Sequence, residues 1–140
     1  MKPHKFTILL FVLFSCSTKS DITDDIFFMS KYEAIDIGSP YKNVIFYGRK
    51  EDGITIYDKT LVYPSVIAFK RRGKSLYVKQ RYDKNITKEI IEVSPSPEDS
   101  TIISLKDNEI YYYKIDLDTK RVERINKNEC PPLEACSEKW

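Results

Sequence analysis

The chain has 140 residues, of which 31% are charged, with 23 Lys and Arg against 21 Asp and Glu and one histidine. That length allows one small domain with a real core rather than two, and the near-neutral balance argues against nucleic acid as a partner. The single histidine is His4. Its place so near the start leaves the body of the chain without imidazole for Ser-His-Asp or Cys-His catalysis, or for most zinc and copper sites.

Lys2, His4 and Lys5 form a short positive segment, followed by the apolar run Thr7 to Phe14. Such a run suits the apolar region of an export signal and is too short to span a bilayer as a mature helix. It closes on Leu13-Phe14-Ser15-Cys16. Those four residues resemble the lipobox of bacterial lipoproteins, with Phe14 bulkier than the family usually carries. The resemblance implies cleavage before Cys16, a diacylglyceryl group on its sulfur and an acyl group on the new amine. Two or three acyl chains, at about 0.8 kcal/mol per buried CH₂, hold a protein to a bilayer almost permanently. Ser17 rather than an acidic residue follows the cysteine, which under enteric-type sorting favours the outer membrane.

Removal of residues 1–15 from 140 leaves 125 and discards Lys2 and Lys5, so 21 basic residues face 21 acidic ones. His4 leaves with the same segment. Residues 16–25 read as a short lipidated tether, in which Asp21, Asp24 and Asp25 supply solubility. Residues 26–125 are expected to form an all-β domain. Ten Tyr, only four Gly and an apolar set of mainly Ile, Val and Tyr favour strands. Turn residues recur about every ten positions, which predicts a single antiparallel β-sandwich or strongly bent meander of about 7–8 strands.

In chain order, Ile26 to Ile37 holds the first strand, with Ile35 and Ile37 on one face, until Gly38-Ser39-Pro40 breaks it. Val44 to Tyr47 is apolar on both faces, as in a central strand. Asp52-Gly53 makes a hairpin turn because both residues tolerate positive φ, and Ile54 and Ile56 alternate on the return. Pro64 cannot donate to a ladder and opens the next strand, Ser65 to Phe69. Arg71 to Lys74 turns a second hairpin into Ser75–Tyr82. Ile86 to Val93 reads as strand or short helix, and Ser94 to Asp99 as a stiff loop. Thr101 to Leu105 and Glu109 to Ile115 are expected to pair as a third hairpin, and Asp116 to Lys120 turns the chain into Val122–Ile125.

Residues 126–140 form a polar tail carrying Cys130 and Cys136. In an oxidising envelope the two are expected to form a disulfide, which stiffens the tail; free thiols and bonds to another protein are the alternatives. Neither cysteine has the partners of a metal site, and no metal or other cofactor is expected.

The most uneven feature is charge. Lys70, Arg71, Arg72, Lys74, Lys79, Arg81, Lys84 and Lys88 are opposed within residues 70–88 only by Asp83, a net +7. Residues 16–69 carry −2 and residues 89–140 carry −5. Lys70, Arg71, Arg72, Lys74, Lys79 and Arg81 are therefore the candidate interaction patch, suited to lipid phosphates, anionic glycans or an acidic protein. The plainer reading is a solvated hairpin whose charges discourage edge pairing. Tyr111-Tyr112-Tyr113 places aromatic rings on both faces of one strand, for core filling and cross-strand contact or for stacking on sugars. Asp116-x-Asp118-Thr119 has the look of a calcium loop but lacks its further oxygen ligands, and reads as a turn.

Ser94 to Ile125 resembles one blade of a β-propeller, but the chain has no room for the four or so blades that closure needs. The lipobox together with Val66–Gln80 and Tyr112–Asp116 is similar to small uncharacterised bacterial lipoproteins with a compact β domain. That resemblance implies an envelope location and brings no activity. Lipoprotein inhibitors of lysozyme share the size and anchor, but their Ser-Gly-x-x-Tyr loop does not occur here. The reading is a non-enzymatic, membrane-anchored binding module for an envelope protein or glycan. An inhibitor or immunity lipoprotein acting on an envelope-targeted enzyme is the alternative.

Overall fold

The computed structural model describes residues 21–30, 42–93, 95, 97 and 99–133. Residues 1–15 of the leader, residues 16–20 of the tether with Cys16, the Ile35 and Ile37 pair, and Cys136 lie outside the described residues. Within them the chain is mostly β, with seven strands in two antiparallel sheets and few helices. The expected all-β character is borne out.

The first sheet is built from β1 (Ile26–Met29), β2 (Val44–Glu51) and β3 (Ile54–Val62), in that order. Residues 21–25, read above as tether, are held against it. Ile22 and Thr23 donate their amides to the Ile26 carbonyl, and the Thr23 hydroxyl accepts from the Ile26 amide at 3.0 Å. The β2–β3 hairpin turns on Asp52 and Gly53 at φ 51° and 78°, the left-handed pair that matches the twist of the flanking strands. Register shifts between Ile45 and Phe46 and between Tyr47 and Gly48 bend this pair. Gly48 is required there: a Cβ on it would come within 2.2 Å of the Ile56 carbonyl oxygen.

The second sheet runs β4 (Val66–Arg72), β5 (Ser75–Arg81), β6 (Ile110–Asp116) and β7 (Val122–Ile125). Gly73, at φ 56°, turns β4 into β5. Between β5 and β6 stand helix α1 (Lys84–Val93) and the short α2 (Asp99–Ile103). The Asp83 carboxylate accepts from the Asn85 and Ile86 amides at 3.1 and 3.0 Å, satisfying donors that a helix start leaves orphaned. Thr87 and Ile90, one turn apart, are buried, so this segment is helix rather than strand.

Two expectations are corrected. Thr101 to Leu105 does not form a strand with Glu109–Ile115; Thr101, Ile102 and Ile103 belong to α2, and Asp99, expected in the loop, begins it. The reason is tertiary. β6 is bonded on one side to β5, from Ser75↔Asp116 to Arg81↔Ile110, and on the other to β7, so no edge is left for residues 101–105. Their β-branched composition is overridden by pairing that arrives from farther along the chain.

Two clusters of buried side chains organise the packing. One joins Ile26, Phe28 and Ile45 from the first sheet to Val66, Leu76, Val78 and Ile115 from the second. The other joins Phe27, Val44 and Phe46 to Ile90 of α1, with Ile86, Ile91 and Ile102 against it. Successive residues of β1 and β2 thus serve different clusters, as the two-residue period of a strand requires.

Candidate functional site

The basic residues singled out above do not stay together. On β5, Leu76, Val78 and Gln80 are buried, whereas Ser75, Tyr77 and Lys79 are half-buried and Arg81 is exposed. Directly opposed residues in an antiparallel ladder share a face. Lys70 lies opposite Tyr77 and Arg72 opposite Ser75, so Lys70, Arg72, Tyr77, Lys79 and Arg81 occupy the face turned away from Leu76 and Val78. The face continues onto β6 through Tyr77↔Lys114, Lys79↔Tyr112 and Arg81↔Ile110.

Two members of the expected patch do other work. Arg71 falls on the alternate face at the hairpin tip, where its Nε donates to the Gly73 carbonyl at 3.2 Å. Lys74 pairs with Asp118 at 2.6 Å, tying the β4–β5 turn to the β6–β7 turn; that bond raises the ammonium's pKa. Lys84 and Lys88 lie on α1. Lys114 is the cation that sequence reasoning missed. Its only signal was alternation with Tyr113, since its neighbours on the face come from a different stretch. Glu123, opposite Lys114, and Asp116, opposite Ser75, temper the charge at one end.

Tyr112 lies on this face, and Tyr111 and Tyr113 on the other. The Tyr113 hydroxyl donates to Gln80 Oε1 at 3.0 Å, and Gln80 Nε2 donates to the Tyr63 carbonyl at 2.8 Å. Gln80 is only 1% exposed, so this chain satisfies a buried amide that would otherwise be costly. Burial pushes the Tyr113 phenol up to about 12, with Arg124 pulling the other way; at neutral pH it remains a donor. Tyr111 accepts from the Lys106 amide at 3.0 Å and carries the Arg124 guanidinium 5.8 Å from its ring centre.

The Asp116 carboxylate accepts from the Asp118 and Thr119 amides at 2.9 and 2.8 Å, chiefly the Thr119 amide lowering its pKa. It serves a turn. Among the described residues no group of three or more His, Cys, Asp or Glu is placed to hold a metal ion, and no helix is long and apolar enough to cross a membrane.

After β7 the chain makes one 3₁₀ turn, Lys127–Glu129, closed by the Asn126 amide donating to Glu129 at 2.7 Å. It brings half-buried Cys130 within electrostatic reach of Lys79; burial raises the thiol's pKa and Lys79 opposes that. The expected Cys130–Cys136 bond involves a residue outside those described.

A concavity of about 420 Å³ opens between the end of β3 (Lys59 to Val62) with Tyr63, α2 with Leu105, and Lys120, Arg121, Val122 and Arg124 at β7. No family model, no curated protein and no solved structure matches the chain.

Proposed function

We propose that this chain is an envelope lipoprotein, anchored through acylated Cys16 after removal of residues 1–15. Its β domain is a non-catalytic binding module that takes an anionic envelope protein or glycan on the outer face of the β4–β7 sheet. In this reading the two sheets face each other as a β-sandwich; the cluster that joins Ile26 and Ile45 to Leu76 and Ile115 supports it. The observation that carries the binding reading is the alignment of Lys70, Arg72, Lys79, Arg81 and Lys114 with Tyr77 and Tyr112 on one sheet face. Cations give attraction and orientation, and tyrosines give flat contact area with a polar tip.

Two experiments test the parts separately. Labelled palmitate enters the wild-type protein and not Cys16→Ser, which leaves the membrane fraction; unlabelled wild type contradicts the anchor. Capture from envelope extract with Arg72→Glu, Arg81→Glu and Lys114→Glu combined loses the partner that the wild type retains, and the retained partner is released by salt. Equal capture contradicts the assignment of the face. Recovery of one enzyme at fixed stoichiometry would place the module among inhibitor or immunity lipoproteins.

A further inference from the structure

We infer that the concavity between β3 and β7 binds a small single-chain amphiphile by its apolar body and its anionic head group. The site is separate from the cationic sheet face. It lies on the opposite side of β6 and β7, where Tyr113, Val122 and Arg124 point, and it does not depend on the lipid anchor.

Three observations converge. The volume, about 420 Å³, falls within the roughly 300–1,000 Å³ of small-molecule sites. The walls supply an apolar interior: Val62 from β3, Val122 from β7, and Ile102 and Leu105 from α2 and the residues after it. At the same time Lys59, Lys120, Arg121 and Arg124 line it, and no acidic side chain does. Lys120 is partly neutralised by Asp25 at 2.9 Å and Arg124 rests on the Tyr111 ring. Arg121 and Arg124 are exposed, and both guanidinium groups are donors suited to a carboxylate or phosphate.

Gln80 and Tyr113 form the polar part of the floor. Tyr113 donates to Gln80, and Gln80 donates to the Tyr63 carbonyl, so these two polar side chains already have partners. An uncharged polar guest would gain little there. A guest with one apolar chain and one negative end matches apolar walls beneath a cationic rim. β3 and β7 are each the last strand of their sheet, so the opening is flanked by two strand edges rather than closed by a ladder.

The test uses the full chain in nanodiscs of zwitterionic phosphatidylcholine, with methyl signals of Val62, Leu105 and Val122 followed by NMR. Octyl phosphate and octanoate are titrated against octyltrimethylammonium. The two anions shift these signals saturably, and the ammonium compound does not. Response to both anions identifies any anionic head as sufficient; response to octyl phosphate alone identifies a phosphate-bearing guest. Arg121→Ala with Arg124→Ala weakens the anions about tenfold or more. Thr101→Trp, at an exposed position on the wall, fills the space and abolishes the shifts without touching the core. Equal response to the cationic amphiphile, no saturable response, or unchanged affinity in either variant overturns the inference.

Discussion

In the β1–β3 sheet, neighbouring residues are buried on opposite sides: Ile26 and Phe28 go to one cluster and Phe27 to the other, as do Ile45 and Phe46. In the β4–β7 sheet only alternate residues are buried. Leu76, Val78 and Ile115 enter the shared cluster, while Tyr77, Lys79, Arg81, Tyr112 and Lys114 remain partly or fully accessible. Both sheets are simple antiparallel arrangements; what differs is that α1 covers the second face of the first. A sheet apolar on both faces has little freedom to vary, so it serves as scaffold. A sheet wet on one face can carry charge and aromatic rings there at small cost to stability.

The largest expected effect comes from breaking the covered sheet. Phe46 is buried, with ring centres 5.4 Å from Phe27 and 5.0 Å from Tyr57. Phe46→Ala should cost about 3–5 kcal/mol in denaturant unfolding, and a loss below about 1 kcal/mol would mean this face is not well packed. Gly48→Ala forces its methyl group onto the Ile56 carbonyl and should cost about 1–3 kcal/mol. Asp83→Ala removes the cap of the helix that covers the sheet and should cost about 1 kcal/mol; amide exchange should report it first in α1.

A smaller effect concerns the joint between the sheets. Burial raises the Asp25 pKa, but the hydrogen bonds from Lys120 and Thr23 outweigh it and leave the carboxyl below its usual value of 3.8. A carboxyl with a depressed folded pKa contributes stability that is present above its unfolded pKa and lost as pH falls through the folded one. Unfolding measured from about pH 5 down to about pH 2 should lose this contribution progressively, and Asp25→Asn should flatten that part of the profile. An unchanged slope in the variant would remove Asp25 from the account. The smallest change in stability is expected on the open sheet. Arg72→Glu with Arg81→Glu should shift unfolding by no more than about 0.5 kcal/mol, although it reverses two charges of the proposed binding face.

Where the sequence was legible, local chemistry decided the outcome. Asp52-Gly53 and Gly73 mark their hairpins because few other residues adopt those turns, and Leu76, Val78 and Gln80 alternate with polar neighbours as a half-covered strand should. Legibility ended where a distant partner decides. Thr101 to Ile103 has the composition of a strand, but β5 and β7 occupy both edges of β6. The linear run of basic residues overstated one surface, because strand alternation sends Arg71 to the opposite face and a turn-to-turn ion pair engages Lys74. Lys114 joins that surface, and Arg121 and Lys59 come to line one concavity, only after folding.

The division of labour between the sheets is tested most directly by photo-crosslinking in living cells. A photoreactive residue replaces Tyr112 on the open sheet or Ile54, which is 68% exposed at the β2–β3 hairpin. The account predicts a discrete adduct with an envelope component from position 112, lost when Arg72 and Arg81 are reversed in charge, and none from position 54. Adducts of equal yield from both positions, or an adduct at 112 indifferent to those charges, would contradict it.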